Sequence, residues 1–191
     1  MTQAKPRFAT FEDYLSFNDG TDELYELFHR ELVELPPESG ENVGIINFLF
    51  LQFAAIVGYL RIRGHGLELE VRGEPRNRYP DLTIIREEHV AQLKRRNMIR
   101  LSMQPPLLVI EVVSPGEENR ERDYSDKREQ YQNRGIPEYW LVDPNQQIIT
   151  VLQLEGRVYQ ELGIFKGYDQ LQSIAFPNLS LTAQQMLRAG Q

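Results

Sequence analysis

One carboxylate restricts this chain more than any other residue in it. Glu111 sits inside Leu107-Leu108-Val109-Ile110-Glu111-Val112-Val113, an otherwise unbroken run of branched apolar residues. Such a run reads as a strand buried on both faces, of the kind found in the middle of a covered sheet. An ionised carboxylate there costs several kcal/mol unless a cation or strong donors meet it. Something positive is therefore expected to face Glu111.

A second apolar run, Pro80-Asp81-Leu82-Thr83-Ile84-Ile85, also carries one carboxylate. Pro80 suits the first position of a strand, where it forfeits no ladder bond. Aspartate is depleted in strands, so Asp81 asks for a reason; a turn-capping side chain is the plain one. After the Glu111 run, Ser114-Pro115-Gly116 stops the strand, and the charged segment from Asn119 to Asn133 is compatible with a helix ended by Gly135. Asp123, Lys127 and Tyr131 lie four apart within it and so share one face. That face is either a surface pair worth a few tenths of a kcal/mol or one turned toward Asp81 and Glu111. The sequence leaves the two readings open. Glu138-Tyr139-Trp140-Leu141-Val142-Asp143 then reads as a strand, joined through Asn145-Gln146-Gln147 to another, Ile148–Leu154, as a hairpin. A third strand is expected over Arg157–Leu162. Thr182 caps a last helix, Ala183–Arg188.

The earlier half has simpler punctuation. Thr10, with Asp13 three residues on, caps a short helix Phe11–Phe17 that Asn18-Asp19-Gly20 ends. Leu24–Phe28 and Glu31–Leu35 read as a hairpin. Glu26 within it is either a carboxylate of a functional site or a polar residue on the wet face of a strand, which alternation predicts anyway. Past the break Pro36-Pro37, Glu41–Arg61 is the longest helix candidate, apolar nearly all round and so expected to be buried. Gly64 and Gly66 turn the chain into Leu67–Arg72, an alternating and so half-exposed strand. Residues 73–78 read as a loop, and 87–100 as helical in part. Lys94-Arg95-Arg96 with Arg100 reads as a solvated charged face rather than a phosphate site.

Bulk properties exclude some classes. There is no cysteine among the 191 residues, so disulfides, thiolate zinc sites and thiol catalysis are out. The formal charge of −7 argues against a protein that merely coats nucleic acid, since phosphate contacts call for a basic surface. It leaves room for an enzyme with a local basic groove and a metal ion. The amino-terminal segment lacks the apolar core of a signal peptide. The apolar stretch Ile45–Leu60 is broken by Asn47, Gln52 and Gly58 and is short for a membrane span. The expectation is one cytoplasmic domain with no membrane partner.

Taken in order, Tyr25-Glu26-Leu27, Glu31-Leu32-Val33, Pro80-Asp81, Glu111-Val112-Val113-Ser114-Pro115, Asp123-xxx-Lys127-xxx-Tyr131, Gly135 and Glu138-Tyr139-Trp140-Leu141-Val142-Asp143-Pro144 resemble a known pattern. The chain resembles the PD-(D/E)xK nuclease superfamily, and within it the restriction-endonuclease family much expanded in cyanobacteria. The resemblance spans nearly the whole chain. It implies an α/β (α+β) fold, a mixed central sheet flanked by helices with an N-terminal hairpin, which agrees with the order of elements read above. The expected organisation is a single domain over 1–191, with hairpin and helix in 10–62, a nuclease core in 67–162 and a C-terminal tail in 163–191.

The resemblance also implies a function, a metal-dependent endonuclease that hydrolyses DNA phosphodiester bonds. Asp81 and Glu111 would hold Mg²⁺ or Mn²⁺, with the backbone carbonyl of Val112, and Lys127 would stabilise charge on the phosphate or orient the attacking water. Glu26 joins the candidate catalytic set, DNA is the implied substrate, and relatives imply a homodimer. Three positions depart from the pattern. The superfamily's usual lysine, two residues after the acidic one, is Val113 here, and Lys127 fits a lysine moved to the following helix. Arg30 stands where the hairpin usually turns through glycine, and Asn42 where many relatives carry histidine. A non-catalytic binding or regulatory protein on the same fold is the competing expectation, favoured by the acidic total and by Val113. Carbohydrate hydrolysis by paired carboxylates would leave the lysine without a part.

Overall fold

The computed structural model describes residues 6–17, 20–21 and 23–190. In chain order the elements are α1 (Phe11–Leu15), β1 (Tyr25–Phe28), β2 (Glu31–Glu34), α2 (Gly40–Val57), β3 (Ile62–Gly64), β4 (Glu68–Glu70), β5 (Asn77–Arg78), β6 (Leu82–Ile84), α3 (Glu87–Gln92), β7 (Met98–Ile99), β8 (Leu108–Val112), α4 (Glu117–Glu121), a π-helical turn (Arg122–Lys127), α5 (Arg128–Arg134), β9 (Glu138–Asp143), β10 (Ile148–Glu155), β11 (Val158–Lys166) and α6 (Ala183–Leu187). This is a mixed α+β architecture, a central sheet with helices on both sides, as the resemblance implied.

The central sheet runs β11-β10-β9-β8-β6-β3. Among the described residues of this sheet only β8 and β9 pair in parallel, and the helical segment from 117 to 134 makes the crossover such a pair requires. Residues of β8 alternate between two cores. Leu108, Ile110 and Val112 face α2 and α6, while Val109 and Val113 face the crossover helix with Tyr131, Tyr139 and Leu141. Glu111 has the parity of the second set. The strand is buried at every position, as its composition required.

Local signals fix several boundaries. Thr10 and Asp13 form a reciprocal capping box for α1, and Thr182 with Gln185 does the same for α6. Asn18 and Asp19, expected to end the first helix, lie outside the described residues. The β1–β2 hairpin turns through His29 and Arg30, both at positive φ (48° and 70°), so Arg30 holds a backbone conformation in which glycine would be unstrained. Its guanidinium offsets part of that strain by donating to the Phe8 carbonyl at 2.9 Å.

The long helix departs most from expectation. It ends at Val57 before Gly58, whose φ of 80° suits glycine, and the residues expected as its last turn lead into β3. It is not buried all round. Asn42, Ile45, Leu49 and Phe53 form the one buried row, while Val43, Leu51 (67% exposed) and Ile56 look outward. By length and composition alone α2 would pass for a membrane span, yet its buried row is seated on the sheet beside Trp140 and Phe176. Close approach of the carboxy-terminal turn explains Gly44, because a Cβ there would stand 2.9 Å from the Ala189 carbonyl.

Four further expectations are corrected. The strand at Leu67–Arg72 is not half-exposed: Glu68 and Glu70 of β4 are buried in a small second sheet, β5-β4-β7. The burial is possible because Arg96 pairs with Glu68 at 2.9 Å and Arg100 with Glu70 at 2.7 Å. Two cations read as a solvated face are therefore structural. Asn77 and Arg78, read as loop, are β5, and the last strand runs on to Lys166.

Removing the Phe53 ring, which meets Phe176 at 5.1 Å, leaves a cavity in the α2 contact. Phe53→Ala is expected to destabilise the chain by about 3–5 kcal/mol in urea unfolding. Leu51→Gln on the outward face is expected to change the stability of a single chain by no more than about 0.5 kcal/mol.

Candidate active site

Strand register brings the two singled-out carboxylates together. In the antiparallel pair of β6 and β8, Leu82 lies opposite Ile110, so one residue further out Asp81 faces Glu111. On the other side of β6, Gly64 of β3 lies opposite Leu82, so the same step aligns His65 with Asp81. Three neighbouring strands thus deliver His65, Asp81 and Glu111 to one end of the sheet.

The crossover helix supplies the cation. Lys127 Nζ donates to Glu111 Oε2 at 2.8 Å and to Asp123 Oδ1 at 2.9 Å, and the Tyr131 hydroxyl donates to Glu111 Oε1 at 2.6 Å. The face shared by Asp123, Lys127 and Tyr131 is turned inward, so the surface-pair reading is excluded by geometry. Asp123 and Lys127 fall in the π-helical turn, whose wider winding re-aims side chains within an otherwise regular helix. Arg122 closes the chain of contacts, with Nε 3.3 Å from Asp123 Oδ1. Val113, at the usual lysine position, is packed among Val109, Tyr131 and Tyr139.

Burial decides the protonation energetics. Glu111 is 1% exposed, and desolvation pushes its pKa up despite the opposing charge of Lys127 and the bonds from Lys127 and Tyr131. Asp81 is raised well above the ordinary carboxylate range by burial and then by the nearby Glu111 charge. For Lys127, burial pulls the pKa down, but Glu111, Asp123 and Asp81 outweigh it and hold the ammonium above its ordinary value. The lysine is a fixed cation at neutral pH.

A cleft of about 110 Å³ opens beside this cluster, lined by Glu26, Glu38, His65, Asp81, Arg122 and Lys127 among others. Asp81 Oδ2 accepts the Val112 N–H at 2.7 Å. Its Oδ1 accepts no hydrogen bond from a described residue and lies 4.0 Å from His65 Nδ1. Glu111 is behind the cleft wall, with both oxygens engaged. The Val112 carbonyl has a long side-chain contact, 3.5 Å from Asn42 Nδ2. Glu26 lines the cleft but is held by Arg78 at 3.0 Å, and Arg78 is fixed in turn by Gln130 at 2.7 Å. All five sequence candidates, Glu26, Asp81, Glu111, Val112 and Lys127, therefore gather around one cleft.

Sequence reasoning missed Glu38, His65 and Arg122. His65 was hidden between the two turn glycines, Gly64 and Gly66, and Glu38 between Pro37 and the α2 cap Ser39. A scarce histidine, one of three in the chain, directly after a strand was the available signal. Asn42 has a definite position: its amide also donates to Glu38 at 3.1 Å and to Ser114 at 3.3 Å.

Comparison with known proteins agrees with this architecture. A family model described as "Uma2: Putative restriction endonuclease" matches residues 11–184. No curated protein matches. Among solved structures, the chain is similar to a putative nuclease belonging to DUF820 from Anabaena variabilis ATCC 29413. The TM-score is 0.70 at 16% identity, over 96% of this chain and 100% of that one, a likeness of fold.

The ion pair at Glu111 predicts a pH-dependent penalty. Lys127→Met leaves a buried carboxylate without its cation, and a loss of about 3–5 kcal/mol is expected near neutral pH. The folded-state pKa of Glu111, already raised, then rises further. A raised acid destabilises the fold when ionised, so the penalty should shrink as pH falls through that pKa toward the unfolded value. Urea unfolding of wild type and variant at several pH values checks both size and sign.

Proposed function

The chain belongs to the Uma2 family of restriction-endonuclease-like proteins, and from that premise we propose that it is a metal-dependent endonuclease acting on DNA phosphodiester bonds in the cytoplasm, the whole chain working as one domain. The observation that carries this reading is the meeting of Asp81 and Lys127 in one cleft, with Glu111 directly behind.

The donor set fits a divalent ion. A free carboxylate oxygen of Asp81 and the weakly engaged carbonyl of Val112 are hard oxygen ligands of the kind Mg²⁺ or Mn²⁺ takes. Glu111 would join them as Lys127 and Tyr131 yield one of its oxygens. A bound ion would supply an activated water and a counter-charge for the scissile phosphate. Lys127, held charged by its neighbours, would face charge developing on the phosphate oxygens or orient the attacking water. Tyr131 keeps the Glu111 carboxylate in one orientation. Arg78 does the same for Glu26, which is a positioning residue on the cleft wall in this reading. A second copy of the chain suits cleavage of two strands, and the outward apolar face of α2 offers surface for it to bury.

One observation favours a second reading. Both oxygens of Glu111 are taken by Lys127 and Tyr131, as they would be in a binding or regulatory protein that has kept the fold without the chemistry. Cleavage of supercoiled plasmid separates the two. With Mg²⁺ or Mn²⁺, wild type is expected to nick or linearise the plasmid, and Asp81→Ala, Glu111→Ala and Lys127→Ala each to lose about a hundredfold or more of that rate. Activity that survives in all three variants rejects the site. A wild type that neither cuts nor gains thermal stability from either ion supports the second reading.

A further inference from the structure

We propose that Glu38 and His65 complete the ion site around Asp81, and that the imidazole nitrogen makes this site favour Mn²⁺ over Mg²⁺. The inference rests on the metal-dependent reading above and concerns which residues of this chain hold the ion.

Ligand atoms of Glu38, His65 and Asp81 all lie within 4.8 Å of one another. Donors about 2.1 Å from a common ion stand about 3 Å apart when adjacent and about 4 Å apart when opposite. The cluster is therefore close to ligating dimensions before any side chain moves. Its members are brought together by strand register and by the start of α2. The β3–β6–β8 register aligns His65 with Asp81, and Asp81 is only 7% exposed. Glu38 is held by Asn42 from the first turn of α2.

The cluster is poorly explained as a set of ordinary contacts. His65 Nδ1 is 4.0 Å from Asp81 Oδ1, too far for a hydrogen bond. Glu38 has an amide as its partner rather than a cation. Two carboxylates and an imidazole converge on one space, and Asp81 Oδ1 there accepts no hydrogen bond from a described residue. The same three residues also line a second cleft of about 290 Å³ running along α2, so an ion can enter from solvent. Glu111 is the weaker first ligand by comparison, since both its oxygens are already engaged.

The nitrogen is what sets the preference. Carboxylate and carbonyl oxygens accept Mg²⁺, Ca²⁺ and Mn²⁺ alike, whereas imidazole suits the transition-metal side of that series. A site of two carboxylates and one histidine should hold Mn²⁺ more tightly than Mg²⁺, and the gap should depend on His65.

Mn²⁺ titration by calorimetry, with pulsed paramagnetic resonance of the bound ion, tests this without any cleavage assay. Wild type is expected to bind Mn²⁺ with a directly coordinated ¹⁴N signal. His65→Ala, at an exposed position, should keep the melting temperature of the metal-free protein. It should lose the nitrogen signal and at least about tenfold in Mn²⁺ affinity, with a smaller loss for Mg²⁺. Glu38→Gln should weaken both ions. If Mn²⁺ binds and Asp81→Ala abolishes it, while His65→Ala changes neither affinity nor spectrum, the His65 assignment is overturned and the metal-dependent reading stands. If wild type binds no Mn²⁺ at millimolar concentration, both fall together.

Discussion

The carboxylate of Glu111, buried in the middle of the central sheet, is the constraint on which the rest of the structure turns. At 1% exposure it cannot remain charged without a partner, and the partner cannot come from its own strand, where Val113 packs into the core. The cation therefore comes from the crossover helix. Lys127 answers two carboxylates, Glu111 at 2.8 Å and Asp123 at 2.9 Å, and Tyr131 satisfies the oxygen that Lys127 leaves. Since the pair exists only when the helix is docked on the sheet, the electrostatics of the site and the packing of the fold are one condition. A lysine on the acid's own strand would have made the pair local and insensitive to that docking.

The same logic of buried acids met by distant bases recurs in the second sheet. Glu68 and Glu70 of β4 are covered by Arg96 and Arg100, and Arg100 also reaches Glu12 of α1 at 2.6 Å. These pairs tie the amino-terminal helix, the small sheet and the segment before β7 together. Isolated surface pairs contribute little, but Glu68 and Glu70 are buried, and removing Arg96 or Arg100 would strand a charge. On the opposite side, Glu138 is held by Trp140 Nε1 and by the backbone N–H groups of Ile174 and Ala175, which fastens the carboxy-terminal segment to β9.

What the sequence disclosed was local or forced. The capping box at Thr10, the cap at Thr182, the β1–β2 hairpin and the limits of β9 follow from short-range rules, and they occur as read. The demand for a cation at Glu111 follows from desolvation alone, and the four-residue spacing named the helix face able to meet it. What remained hidden depended on partners far away in the chain. Nothing near Glu68 announces that Arg96 will cover it, so alternation wrongly suggested a wet face. The outward apolar side of α2 escaped for the same reason, because an apolar composition gives no information on which side has a neighbour. His65 and Glu38 join the cleft only through strand register and a helix start, and neither has a periodicity. The roles proposed for Asp81, Glu111, Lys127 and Glu26 came from resemblance, and geometry adds their proximity.

Charge in the cleft bears on the order in which the proposed ion and nucleic acid would bind. Around it stand five carboxylates among the described residues, those of Glu26, Glu38, Asp81, Glu111 and Asp123, against three cations, Arg78, Arg122 and Lys127. Most of the positive charge is already committed: Arg78 to Glu26, Arg122 to Asp123, and Lys127 to Glu111 and Asp123. Counted formally, the surplus is negative and falls on Asp81, whose burial favours its protonated form, and on Glu38, in a chain whose formal total is itself −7. A phosphodiester approaching this surface alone meets repulsion, and the low-dielectric wall strengthens it. A divalent cation meets the reverse. In the proposed reading a held ion would reverse the local field that a phosphate encounters and offset the burial, and then the Glu111 charge, that raise the Asp81 pKa. For the proposed metal-dependent nuclease, these electrostatics would place ion binding before nucleic acid.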